Sequence, residues 1–145
     1  MSAIERWGRR VTWGLVAAMT FAAPLAVAAQ GEALASSVQI PSGVTANGAP
    51  LPAGTYTLRV SSDPVTPVVG QGPESAKWVE FVQNGQVRGK ELASVVAPAD
   101  VKAVAKRTPP SEGAGLVHVL RGNEYVRIWV NDGGTQYLVH LARGN

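Results

Sequence analysis

Four turn dipeptides constrain this chain more than any other feature: Asn47-Gly48, Asn84-Gly85, Gly122-Asn123 and Asp132-Gly133. Such pairs tolerate the positive φ angles of two-residue type I′ turns, whose backbone matches the twist of paired strands. The segments between them alternate. Tyr56, Leu58 and Val60 interleave with Thr55, Thr57 and Arg59, which predicts a strand over 55–61 with one buried and one wet face. The expected fold is therefore all-β, an antiparallel β-sandwich formed as one domain over residues 37–145. With 46% hydrophobic and 16% charged residues in 145, the composition suits a packed core rather than a disordered tail or a polybasic nucleic-acid binder. The chain has no cysteine, which excludes disulfides, cysteine-ligated metal centres and a thiol nucleophile.

The first 28 residues read as an address. Arg6, Arg9 and Arg10 precede an apolar run from Val11 to Ala23, followed by the small-residue site Ala26-Val27-Ala28. Basic, apolar and Ala-x-Ala regions in that order make a secretory signal peptide. Cleavage is expected after Ala28, with Ala29 and Ala35 as alternatives, and residues 29–36 are expected to form a flexible lead-in. The apolar run is shorter than the ~20 residues a membrane-crossing helix requires, so no stable span is expected once the leader is removed. Arg9-Arg10 leaves twin-arginine export open beside the general route. The leader also carries two of the three net positive charges, which removes the main support for nucleic-acid binding. The expected location is secreted or periplasmic.

Leu51-Pro52-Ala53-Gly54 leads into the strand at Thr55-Tyr56, with proline and glycine where a tight turn prefers them. This entry resembles that of small secreted bacterial β-sandwich domains, including carboxypeptidase-regulatory-like (prealbumin-like) modules and uncharacterised periplasmic relatives. The resemblance implies an Ig-like or prealbumin-like sandwich and carries over no active site. A second hairpin is expected from Lys77–Gln83 and Gln86–Val96, with Val82 facing Val87, Gln83 facing Gln86 and a bulge at Gly89. Pro98 to Arg107 is the one short helical candidate, with Val101, Val104 and Ala105 on one face and Lys102 and Lys106 on the other. Alternation of Val101, Ala103 and Ala105 leaves an irregular strand equally open.

Two short turns set a register for the C-terminal strands. Gly122-Asn123 pairs Arg121 with Glu124, Leu120 with Tyr125, Val119 with Val126, His118 with Arg127 and Val117 with Ile128. Asp132-Gly133 pairs Val130 with Thr135, Trp129 with Gln136, Ile128 with Tyr137, Arg127 with Leu138, Val126 with Val139 and Tyr125 with His140. One face then holds Val117, Val119, Val126, Ile128, Val130, Tyr137 and Val139, a β-branched core set. The other holds Leu116, His118, Leu120, Tyr125, Arg127, Trp129, Gln136, Leu138 and His140. A solvated face ordinarily carries more Thr, Lys and Glu, so the 97–115 connection, another chain or a ligand is expected to cover this one.

Tyr125, Arg127, Trp129, His118, His140 and Gln136 are thus the candidate partner face. Trp129 and Tyr125 can stack on sugar rings while Arg127, His118 and Gln136 bond the hydroxyls; equally, both rings can pack under a loop of their own chain. No metal is expected, because Arg127 lies across from His118 and opposes a second cation. No serine sits in a nucleophile elbow, Gly70-Gln71-Gly72 lacks the rest of a phosphate loop, and Glu80 and Glu91 across the second hairpin are more simply solvated charges. The expectation is a non-enzymatic binding or structural module of the cell envelope, without cofactor, whose partner is a protein or a polysaccharide. A carbohydrate-recognition module is the first alternative, an unrecognised hydrolase the second.

Overall fold

The computed structural model describes residues 32–66, 68–104 and 107–144; the leader, lead-in residues 29–31, Ala105 and Lys106 lie outside them. The class is all-β and antiparallel, with strands β1 Ala33–Ile40, β2 Val44–Ala46, β3 Ala49–Leu51, β4 Gly54–Val60, β5 Ala76–Gln83, β6 Gln86–Val96, β7 Gly115–Leu120, β8 Tyr125–Asp132 and β9 Thr135–Arg143. A 3-10 turn at Pro98–Asp100 runs into the short helix α1, Val101–Val104, so the helical alternative for that segment is the one adopted. β1 begins inside the stretch expected to be a flexible lead-in. Leu34 and Ala35 are buried, and burying them ties Ala33–Ser36 to β4.

All nine strands join one hydrogen-bonded sheet. The path runs β1-β4-β5-β6-β9, and β9 is its hub: it pairs with β6 through Gln136 to Val139, with β8 along its length, and with β2 through Ala142 and Arg143. β7 closes the far side of β8. Separately bonded layers of an Ig-like or prealbumin-like sandwich are not seen among the described residues. Instead β1, at one end of the path, approaches the β8–β7 branch that leaves it at β9. β1 lies against β7 and β8, and Val38 fills the space beside Gly115, where a Cβ would stand 2.9 Å from its Cγ2. The sheet is rolled, and the core is what it wraps.

That core draws alternate residues from nearly every strand, among them Ile40, Leu58, Phe81, Ile128, Val139 and Leu141, all inaccessible to solvent. Burial of such side chains contributes about 1.5–3 kcal/mol each. Tyr56 anchors the entry noted in the sequence: its hydroxyl donates to the Pro52 carbonyl at 2.6 Å, and its ring meets Phe81 edge-on at 6.2 Å. The β5–β6 hairpin has the expected pairs Val82–Val87 and Gln83–Gln86, and its bulge falls between Val87 and Gly89. Glu80 and Glu91 do not meet. Glu80 faces Lys90 on the outer surface, while Glu91 faces Val79 on the inner one and accepts the Asn47 amide at 2.6 Å.

The C-terminal register is part expected and part corrected. β7 and β8 pair as predicted from Leu120–Tyr125 to Val117–Ile128. β8 and β9 are shifted by two residues: Val130 pairs with Tyr137, Ile128 with Val139, Trp129 with Leu138 and Arg127 with His140. The turn is Gly133-Gly134, both at positive φ (57° and 91°). Glycine adopts that region without steric cost, whereas an aspartate at the first position carries a Cβ into it.

Candidate functional site

The outer face of β7, β8 and β9 divides into a sealed half and an open half. In the sealed half, Trp129 is 5% exposed and Gln136 3%. The indole N–H donates to Gln136 Oε1 at 2.6 Å, and Gln136 Nε2 donates to the Gly134 carbonyl at 3.2 Å. Asn131 holds residues 110–113 beside this end. Its Nδ2 donates to the buried Pro110 carbonyl at 3.0 Å, and its own carbonyl accepts the Gly113 amide at 2.9 Å. Trp129 is therefore buried, as the loop-packed alternative had it, and neither Trp129 nor Gln136 belongs to an accessible partner face. A buried indole and amide that satisfy each other gain more than either does in water.

The open half holds the other four candidates. His118, Arg127 and His140 stand directly across from one another on three adjacent strands, where facing Cβ atoms lie about 4.5–5.5 Å apart. Beside them Leu120, Arg121, Tyr125 and His140 line a hollow of about 320 Å³. Tyr125 is 38% exposed, so it is the ring of the predicted pair that solvent reaches. Arg121 and Glu124 keep only the backbone bond across the turn, with the Glu124 N–H donating to the Arg121 carbonyl at 3.3 Å, and form no ion pair among the described residues. Arg121, Gly122 and Asn123 all take positive φ, and the wider loop carries the guanidinium over the Tyr125 ring, 5.9 Å from its centroid.

The electrostatics of this half are of one sign. Shielding from water, then Arg127, then Arg107 hold the His118 imidazole below its ordinary pKa. Shielding and then Arg127 do the same to His140. Both effects disfavour a charged ring, and no carboxylate contributes to either. Arg127 Nε and His118 Nδ1 are out of contact with solvent and have no hydrogen-bond partner among the described residues. The described residues contain no group of three His, Asp or Glu able to hold a metal, and no serine occurs from Gly115 to Arg143.

A larger hollow of about 420 Å³ lies among Glu74, Ser75, Lys77, Asp100 and Tyr137. Its charges are of both signs, with Lys77 bonded to Glu74 at 3.4 Å. Sequence reasoning missed Arg121 and Arg107 as parts of the open face. Gly122-Asn123 reads as a two-residue turn that leaves Arg121 in its strand, whereas the positive φ of Arg121 itself turns the side chain over Tyr125. The pattern of the 98–107 segment indicates a helix or a strand and gives no pointer from Arg107 to His118. Comparison with family models, curated proteins and solved structures finds nothing that matches this chain.

Proposed function

We propose that this chain is a secreted or periplasmic, non-catalytic binding module of the cell envelope that engages its ligand at the open half of the β7–β8–β9 face. One observation carries the reading: an exposed aromatic ring and an arginine border a hollow of about 320 Å³, on a face whose other half is closed by the chain itself. Pockets of roughly 300–1,000 Å³ with an apolar wall and a few polar groups are the usual form of a small-ligand site. The basic, apolar and Ala-x-Ala order of the first 28 residues supports export. No helix among the described residues is long and apolar enough to cross a membrane.

The test has two parts. Fractionation with N-terminal sequencing is expected to find a product starting at Ala29 outside the cytoplasm; an uncut chain inside it overturns the export reading. Amide-shift mapping with purified cell-wall fragments is expected to perturb residues 118–127 and 140, and Tyr125→Ala to abolish the response at unchanged melting temperature. Shifts confined to other surfaces overturn the site.

A further inference from the structure

We infer that the His118–Arg127–His140 row is an oxyanion site, and that the ligand of this face carries a phosphate group on a compact organic moiety. The inference rests on the open face being the ligand surface, as proposed above, and goes beyond it to the ligand's chemistry. The strongest support is a contrast within the same sheet. Across β4, β5 and β6 the outer face reads Arg59, Glu80, Lys90, each directly opposite the next, so opposite charges face each other, which stabilises paired strands. Across β7, β8 and β9 the equivalent row reads His118, Arg127, His140. No acid interrupts it. Arg107 adds a further positive charge at His118, and Arg121 stands over Tyr125 at the edge of the hollow.

With both imidazoles held towards the neutral form, Arg127 is a half-buried cation with no acid opposite it on either neighbouring strand, and a counter-charge there is favourable. Hydrogen-bonding capacity matches that need on the accessible side, because His140 is exposed and His118 and Arg127 are half-buried. Guanidinium and imidazole donors from three strands suit the three free oxygens of a phosphate ester better than the two coplanar oxygens of a carboxylate. The hollow beside His140 is walled by Leu120 and Tyr125, surfaces that a bare ion does not use. A sugar or glycerol unit attached to the phosphate uses both.

Glucose 1-phosphate, glucose, glucuronate and inorganic phosphate are titrated into the purified protein, with phosphatidylglycerol and phosphatidylcholine vesicles in parallel. Imidazole NMR resonances of His118 and His140 report on the site. Glucose 1-phosphate is expected to shift both resonances and raise both imidazole pKa values, since Arg127, Arg107 and Arg121 then share an anion with the rings. Arg127→Gln is expected to weaken this binding about tenfold or more. Should that variant fail to fold, the wild-type imidazole titrations decide alone. Preference for phosphatidylglycerol vesicles over the soluble ester assigns the phosphate to a lipid headgroup; the reverse assigns it to a soluble or polymer-borne ester. Glucose binding as tightly as its phosphate, or glucuronate binding more tightly, overturns the inference and leaves the binding-module reading standing. If no phosphate-bearing probe moves either imidazole, the inference falls, and the separate wall-fragment mapping decides the broader reading.

Discussion

Replacing Gly115 with alanine tests whether β1, at one end of the sheet path, meets β7, the outer strand of the branch from β9. The added Cβ would stand 2.9 Å from Cγ2 of Val38, 3.6 Å from its Cγ1 and 3.7 Å from Cγ2 of Ile128. The closest of these is roughly 0.6 Å inside an ordinary carbon contact of about 3.5 Å. Val38 is 2% exposed and Ile128 wholly buried, and a β-branched side chain cannot swing aside cheaply. Overpacking of this kind costs about 1–3 kcal/mol, and the lower unfolded-state entropy of alanine offsets about 0.5–1 kcal/mol of it. The expected net loss is about 1–2 kcal/mol. Val38→Ala alone loses about 1.5 kcal/mol of transfer energy and about 2–3 kcal/mol once its cavity is included. In the Val38→Ala/Gly115→Ala double variant the methyl group added on β7 occupies the vacated room, so its stability exceeds the additive value by about 1 kcal/mol or more. Urea midpoints at constant slope, followed by tryptophan fluorescence, measure all four species. Additivity, or a stabilising Gly115→Ala, would refute the rolled closure.

Three further outcomes follow from particular contacts. Tyr56→Phe keeps the edge-on packing with Phe81 and loses the hydrogen bond to Pro52, so thermal unfolding should show a loss of about 1–2 kcal/mol; an unchanged melting temperature contradicts the anchor. Trp129→Ala should cost about 3–5 kcal/mol, because the indole is buried and bonded to Gln136; a loss below about 1 kcal/mol would return Trp129 to the surface. His118 and His140 are both held below the ordinary pKa of 6.5, so the unfolded chain binds protons more readily than the folded one. Their contribution is complete above pH 6.5 and is lost as pH falls through 6.5 towards the folded values. Urea midpoints at pH 7.5 and 5.5 should therefore decrease with acid, and a His118→Asn/His140→Asn variant, which removes both histidines of the chain, should flatten that decrease. An unaltered slope in the variant refutes the assignment.

How much of this was legible in the sequence depends on whether parity or adjacency carries the information. A strand's side chains alternate with period two, so a register error of two residues leaves every residue on its own face, while an error of one exchanges core for surface. Taking Asp132-Gly133 as the turn in place of Gly133-Gly134 makes an error of two. Val126, Ile128, Val130, Tyr137 and Val139 therefore fall in the core as read from alternation. Depth is a different matter: Val119 is on the inner side, opposite Val126, yet 47% exposed, because β7 is an outer strand with no hydrogen-bonded neighbour beyond it. Burial of Trp129 under its own chain was among the alternatives read from the sequence, but the fastening itself was not legible, since Asn131 and Pro110 lie 21 positions apart and no periodicity spans that separation. Adjacency is where the two-residue error has consequences. The sequence register set His140 across from Tyr125 and Leu138 across from Arg127; the observed register brings His140 to Arg127, with His118 on the other side. Faces survive such a slip and neighbours do not, so the fold class was readable from turn chemistry and alternation, whereas a site made of three cross-strand neighbours required the glycine pair to be located to the residue.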